Sequence, residues 1–95
     1  MIYRIFKYQL PQGPGAKYQI QLPTGSFALH IGIQDNQPII WMSVNQDTKC
    51  KVIFEFTCVP TGGTWNNELD EYIATVQMPD GLVWHYVCRV FHCDA

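Results

Sequence analysis

The segment FALHIGIQDNQPIIWMSV, residues 27–44, decides the fold class of this chain. Apolar residues take every second position from Phe27 through Leu29 to Ile33, which is the period of a β-strand with one face on a core. Asp35 and Asn36 tolerate the backbone conformations of a tight turn, and a largely apolar run follows them. We therefore predict a β-hairpin across residues 27–44.

Alternation of the same kind continues on both sides of the hairpin. It predicts further strands at residues 2–10, 17–22, 50–58, 72–78 and 82–91. Within these strands Cys50 and Tyr72 take positions predicted to face the core. The long segment 59–70 predicts a surface loop with at most one short helix. About seven short strands separated by turns predict an all-β fold, either a small antiparallel β-sandwich or a barrel.

Length, composition and charge limit the classes of protein to which the chain can belong. Ninety-five residues are too few for two independent cores, so we expect a single domain spanning residues 1–95. Six Lys and Arg residues and a net charge of -2 disfavour general nucleic-acid binding. No apolar run approaches the roughly 20 residues that cross a bilayer, and the N terminus has no signal-peptide pattern. We therefore expect no membrane partner, a cytoplasmic location and free thiols.

Four cysteines and three histidines are the candidate metal ligands. On the last predicted strand His85 and Cys88 have opposite parity and would point to opposite sides of the sheet. Cys50 and Cys58 share a face but would lie roughly 26 Å apart at about 3.3 Å per residue. The sequence thus predicts no metal site and no cofactor. Cys50, Cys58 and Cys88 are expected in the core, and Cys93 is expected to be the exposed thiol.

No spacing in the sequence assembles a catalytic group. A cysteine nucleophile needs a histidine within hydrogen-bond reach and a third group that orients it, and no motif brings a histidine to a thiol. The pair Gly62-Gly63 lacks the Lys-Ser/Thr ending and the strand-to-helix setting of a phosphate-binding loop. We therefore predict a protein that is not an enzyme.

Apolar and aromatic residues on the predicted outer faces are the candidates for a binding site. The apolar residues at such positions are Ile39, Trp41, Ile53, Ile73, Val83, Val87 and Phe91. A sheet with one solvated face should not carry so many, so either these strands are covered on both faces or the outer face is an interface. His30, Trp41 and His85 are predicted to lie on such a face. Trp65, in a loop rich in Gly and Asn, is predicted to anchor a partner.

The patterns KYQL, LPTG, LHIGIQ, PIIW, TG, YIATVQ and GLVWH cover nearly the whole chain. A sequence that carries these patterns resembles a family of small phage-encoded proteins of unknown function. The residues that carry the resemblance are Tyr8, Leu10, Leu22, Pro23, Gly25, Leu29, His30, Gly32, Gln34, Pro38, Trp41, Thr61, Gly62, Tyr72, Ile73, Gly81 and His85. The resemblance implies a phage accessory protein that works in the bacterial cytoplasm. Residues 86–95, with Cys88 and Cys93, extend beyond the pattern.

A compact protein of this kind can block a host enzyme by binding alone. We expect first a non-enzymatic inhibitor of a host or anti-phage defence protein, acting as a homodimer or through an apolar and aromatic face. Two alternatives stay open. One is a sponge that sequesters a small nucleotide-type ligand, with Trp41 or Trp65 stacking on its base. The other is a minor virion component.

Overall fold

The computed structural model describes residues 1–92, which form seven β-strands and no helix. The strands are β1 (Tyr3–Gln9), β2 (Lys17–Pro23), β3 (Phe27–Gln34), β4 (Gln37–Asn45), β5 (Lys51–Pro60), β6 (Glu71–Gln77) and β7 (Val83–His92). They form a three-stranded sheet in the order β1-β4-β3 and a four-stranded sheet in the order β2-β5-β7-β6. All neighbours are antiparallel. The all-β prediction is confirmed, and the architecture is a sandwich rather than a barrel. The described part of the chain contains no helix that could span a membrane.

The hairpin predicted at residues 27–44 is formed by β3 and β4. Its two turn residues, Asp35 and Asn36, have φ angles of 53° and 62°. Positive φ at both central positions is the signature of a type I′ turn, whose twist matches that of the flanking strands. Asp and Asn are among the residues that tolerate this conformation best, so the turn and the pairing of the residues next to it follow directly from the sequence.

The core lies between the two sheets and is built from residues of one parity in each central strand. Ile40 and Met42 of β4 meet Phe56 of β5 and Tyr86 of β7, and all four have relative exposures of 0%. The hydroxyl of Tyr86 donates a 2.8 Å hydrogen bond to the carbonyl of Pro11. The large buried ring therefore keeps its polar group satisfied at the edge of an apolar core.

A β-bulge in β3 reverses the predicted faces at the start of that strand. The pairing with β4 shifts between Ala28 and His30, which leaves Leu29 as the extra residue. Ala28 consequently packs against the core, while Phe27 and Leu29 are 49% and 47% exposed. The prediction that Phe27 and Leu29 face the core is therefore wrong, because one inserted residue exchanges the two faces of a strand.

A second bulge lies in β6, between Tyr72 and Ala74. Tyr72 pairs with the outward-facing Val87 and is exposed, whereas Ile73 packs against the core. The predicted faces of Tyr72 and Ile73 are therefore exchanged. β3 and β6 are each an edge strand of their sheet and contact each other along one side of the sandwich, so both bulges lie on the same side of the molecule.

Candidate binding surfaces

The outer face of the three-stranded sheet carries exposed apolar side chains from its two edge strands and the half-buried Trp41 from β4. Tyr3 and Ile5 of β1 and Phe27 of β3 are 38%, 64% and 49% exposed. Trp41 of β4 lies on the same face, because its neighbours along β4 are the inward-facing core residues. The rings of Tyr3 and Phe27 are 5.8 Å apart between centroids. We call Tyr3, Ile5, Phe27 and Trp41 the outer apolar patch.

His30 and Trp41 form a stacked pair on this face. They lie opposite each other in the register of β3 and β4, with ring centroids 6.2 Å apart and an interplanar angle of 26°. Gly32 leaves room for the pair, since a Cβ there would lie 3.3 Å from both His30 Nε2 and Trp41 Cζ3. The structure therefore places His30 and Trp41 together on the outer face, as predicted. Their role in binding stays a prediction.

The other apolar residues predicted to point outward have mixed environments. Ile39 and Val87 are only 8% and 2% exposed and are covered by the chain itself. Ile53 and Val83 are half-buried, and Phe91 is exposed on the four-stranded sheet. Some outer positions are therefore covered by the chain itself, while the outer apolar patch remains open to solvent. That this patch is an interface stays a prediction.

Trp65 and His85 belong to a second cluster, on the outer face of the four-stranded sheet. Tyr72 lies between them, with its ring centroid 5.9 Å from that of Trp65 and 6.3 Å from that of His85. The cluster borders a cavity of about 180 Å³ that Gly62 and Gly63 also line. The structure therefore brings Trp65 and His85 together, on a different sheet from His30 and Trp41, and adds Tyr72.

Hydroxyl groups hold the imidazole of His85 from both sides. Thr61 Oγ1 lies 2.9 Å from Nε2, and Thr75 Oγ1 lies 2.9 Å from Nδ1. The hydroxyl of Tyr72 lies 3.2 Å from Nδ1 and also contacts the hydroxyl of Thr75. Both ring nitrogens are therefore engaged by neutral partners, which fix the orientation of the imidazole within the cluster.

A cleft between β3 and β6 links the two clusters. It has a volume of about 300 Å³ and is lined by residues 27–31 on one side and 71–74 on the other. His30 and Phe27 therefore reach the cleft from the three-stranded sheet, and Tyr72 reaches it from the four-stranded sheet. Of the four predicted site residues, His30 lines the cleft and Trp41 is in ring contact with His30. Trp65 and His85 are in ring contact with Tyr72, which also lines the cleft.

Charged residues distinguish the two outer faces. On the four-stranded sheet Arg89 binds both carboxylate oxygens of Asp70 at 2.9 and 3.3 Å, and Lys17 lies 3.5 Å from Glu55. On the three-stranded sheet Lys7 donates a 2.6 Å hydrogen bond to Gln34 beside the outer apolar patch. Because the centres of protein interfaces are poor in charge and rich in aromatic residues, the outer face of the three-stranded sheet is the better candidate.

The comparison with protein families covers the part of the chain that contains all of these features. A family model described as a domain of unknown function, DUF7352, matches residues 1–92. The chain belongs to the DUF7352 family. No significant match was found among curated proteins or among solved structures. The DUF7352 match spans all seven strands, so it includes the outer apolar patch and both sides of the cleft.

The thiols of the DUF7352 domain differ in their access to solvent. Cys58 and Cys88 are buried, as predicted, but Cys50 is exposed because it precedes β5 and belongs to the preceding turn. Burial, followed by the nearby carboxylates of Glu71 and Asp70, raises the pKa of Cys88 to about 12. Burial also raises the pKa of Cys58. Both buried thiols are therefore poor nucleophiles.

Metal ligands do not converge in the described part of the domain. His85 and Cys88 lie on opposite faces of β7, as their parity predicts. Among residues 1–92 no three His, Cys, Asp or Glu side chains are close enough to share an ion. Cys93 lies outside the described residues, so its predicted exposure and the expected lack of a metal site stay predictions.

We expect only Cys50 among the described thiols to react rapidly in the folded protein. In a Cys93→Ser background, Ellman's reagent at about pH 8 should modify Cys50 at the rate of an unfolded peptide. Cys88 should react about a thousandfold more slowly, since its pKa rises from 9.0 to about 12. Adding Cys50→Ser should remove the fast phase. Rapid modification of two thiols without unfolding would contradict the structure.

Sequence reasoning missed four residues of these surfaces, namely Tyr3, Ile5, Phe27 and Tyr72. Phe27 and Tyr72 were hidden by the bulges described above. The first strand did carry a signal, since IYRIFKY has large apolar or aromatic residues at both parities. A strand that packs on a core with one face only should alternate more regularly between apolar and polar residues. The apolar residues at both parities therefore indicate that β1 does not have one buried and one solvated face.

Proposed function

We propose that this DUF7352 domain acts by binding another protein, without catalysis of its own, and that the outer apolar patch is the contact surface. One observation carries the proposal. The domain has an apolar core between its sheets, yet aromatic and aliphatic side chains of β1 and β3 are exposed on one sheet face, on either side of the half-buried Trp41 of β4. Contiguous exposed apolar area of this kind is typical of interaction sites.

The state of the reactive groups supports a binding role over an enzymatic one. The pKa values of Cys58 and Cys88 are raised, which disfavours the thiolate that a nucleophile requires. The ring nitrogens of His85 are engaged by threonine hydroxyls, and Arg89 is engaged by Asp70. Cys58, Cys88, His85 and Arg89 are thus held by the packing and hydrogen bonds of the fold.

The setting proposed for this activity is a phage-infected bacterium. The resemblance of the sequence to small phage-encoded proteins supports a phage accessory protein, which would meet its partner in the host cytoplasm. We propose that the partner is a host or anti-phage defence protein that is inhibited when the outer apolar patch covers part of its surface. Aromatic residues such as Trp41 supply most of the binding energy in many interfaces.

A nucleotide sponge receives less support from the structure. The cleft between β3 and β6 offers His30 and Tyr72 as aromatic walls, but its lining residues include Glu71 and no Lys or Arg. A phosphate group would therefore meet a carboxylate instead of a cation. The cleft suits an extended apolar segment of a partner protein better than an anionic ligand.

Affinity purification of the tagged protein from host lysate tests the proposal. We expect one bacterial protein to be retained in a stoichiometric ratio, as measured by mass spectrometry, and its activity to fall as the purified DUF7352 domain is added. Absorbance at 260 nm in excess of that of the polypeptide would indicate a bound nucleotide and support the sponge. Recovery only with purified phage particles would support a virion component. Either of these results would contradict the proposal.

A further inference from the structure

β1 is an edge strand with an unbroken backbone and with exposed apolar side chains on both of its faces. The sheets end in four edge strands, β1 and β3 in one and β2 and β6 in the other. β3 and β6 carry bulges, and β2 presents Lys17, Gln19 and Gln21 on its outer face. Bulges and charged side chains are the usual devices that prevent edge pairing. β1 carries Arg4 and Lys7 but has no bulge, and it pairs in an unbroken register with β4 over its seven residues.

The side chains of β1 are open to solvent on both faces of the sheet. Six of its seven residues are exposed, and Tyr8 is half-buried. Phe6 has the same parity as the inward-facing core residues and lies opposite the fully buried Met42, yet it is 41% exposed. The four-stranded sheet therefore leaves the inner side of β1 partly uncovered, and Ile5 is 64% exposed on the outer side.

The backbone of β1 offers a regular set of hydrogen-bonding groups at its open edge. Leu10 N–H donates to Pro38 and Gln46 N–H donates to the carbonyl of Ile2, each at 2.9 Å. These bonds show that the even-numbered residues direct their backbone groups towards β4. Because the direction alternates along an antiparallel strand, the odd-numbered residues direct theirs to the open edge. These residues are Tyr3, Ile5, Lys7 and Gln9.

We propose that two copies of this chain pair antiparallel through β1, about a two-fold axis at Phe6. In this register Tyr3 faces Gln9 of the second copy and Ile5 faces Lys7, so that the four odd-numbered residues of each strand form about eight inter-chain hydrogen bonds. Phe6 meets Phe6 of the second copy, which gives an aromatic cross-strand pair. The two sheets then form one sheet of six strands, in the order β3-β4-β1-β1-β4-β3.

The sequence of β1 favours a second copy as the occupant and selects this register. With the axis at Phe6, Arg4 lies opposite Tyr8 and Lys7 lies opposite Ile5, so no two like charges face each other. An axis at Lys7 would oppose two lysines, which is destabilising. An axis at Ile5 would leave about six hydrogen bonds instead of about eight. The dimer would also join the two outer apolar patches across the shared sheet.

Proline and alanine at position 7 form a matched test of this dimer. Lys7→Pro removes an N–H group that points to the open edge, so the bonds between β1 and β4 are retained. Lys7→Ala removes the same side chain and its bond to Gln34 but keeps the N–H. By sedimentation equilibrium we expect the wild type and Lys7→Ala to be dimers. We expect Lys7→Pro to dissociate at least about thirtyfold more readily, since the bond is lost twice in a symmetric dimer.

Hydrogen exchange of the wild-type protein provides a second test that does not depend on a variant. Amides of Tyr3, Ile5, Lys7 and Gln9 should be protected at high concentration and should exchange rapidly after dilution, whereas those of Arg4 and Phe6 should stay protected by β4. A wild type that is monomeric at all concentrations, or a folded Lys7→Pro variant that dimerises as tightly as Lys7→Ala, would overturn the proposal. Neither result would affect partner binding by the outer apolar patch.

Discussion

The Phe56→Ala variant is expected to lose about 3–5 kcal/mol of its free energy of unfolding, which is the usual cost of removing a phenyl ring from a packed core. Phe56 is fully buried between the sheets, and its ring stacks on that of Phe54 with centroids 6.4 Å apart. Small domains are stable by only about 5–15 kcal/mol, so the variant should unfold at a much lower urea concentration. Urea titration followed by circular dichroism measures the change.

Phe91→Ala is the matched control for this change. Phe91 lies on the same sheet, on β7, but it is 38% exposed and faces outward. Its removal should lower the free energy of unfolding by less than about 1.5 kcal/mol, because part of the ring is already in water. Equal losses for Phe56→Ala and Phe91→Ala would contradict the placement of the core between the two sheets.

Trp41→Glu is expected to weaken partner binding by about thirtyfold or more while leaving the domain folded. A central aromatic anchor commonly contributes 2 kcal/mol or more to an interface, which corresponds to this change in affinity. The glutamate can reach solvent because Trp41 is half-buried and lies on an outer face. Isothermal titration with the captured partner measures affinity, and thermal unfolding measures the fold.

Thr57→Glu controls for the added charge. Thr57 is also half-buried, and it lies on the outer face of the four-stranded sheet, where its hydroxyl is 3.0 Å from the Lys17 ammonium group. This variant should bind the partner as the wild type does. If Trp41→Glu abolished the thermal transition, Trp41 would belong to the core. If a folded Trp41→Glu variant bound normally, the outer apolar patch would not be the contact surface.

Most of the fold could be predicted from sequence because the responsible interactions are local. The alternation of residues 27–33 and the Asp35-Asn36 turn specify the hairpin within a short segment. The order of the strands and the choice of a sandwich depend on contacts between segments that are distant in the chain. Patterns of polarity do not encode which strand becomes the neighbour of another.

The bulges explain why the candidate site was predicted only in part. FALHI alternates without a break, so nothing in the pattern shows that Leu29 is an extra residue and that Phe27 faces water. In YIATV the sizes of Ile73 and Ala74 do not reveal which of the two faces the core. His30 and Trp41 were placed correctly because each follows a regular register beyond the bulge.

Site-specific photo-crosslinking tests the central claim most directly, namely that the outer apolar patch contacts a partner protein. A benzophenone amino acid replaces Phe27 in one variant and Phe91 in another, two exposed aromatic positions on the outer faces of opposite sheets. After irradiation in host lysate, we predict that the benzophenone at position 27 forms a covalent adduct with the bacterial protein that the wild type retains. The benzophenone at position 91 should form none. Adducts from position 91 alone, or from neither position while the wild type still retains that protein, would contradict the claim.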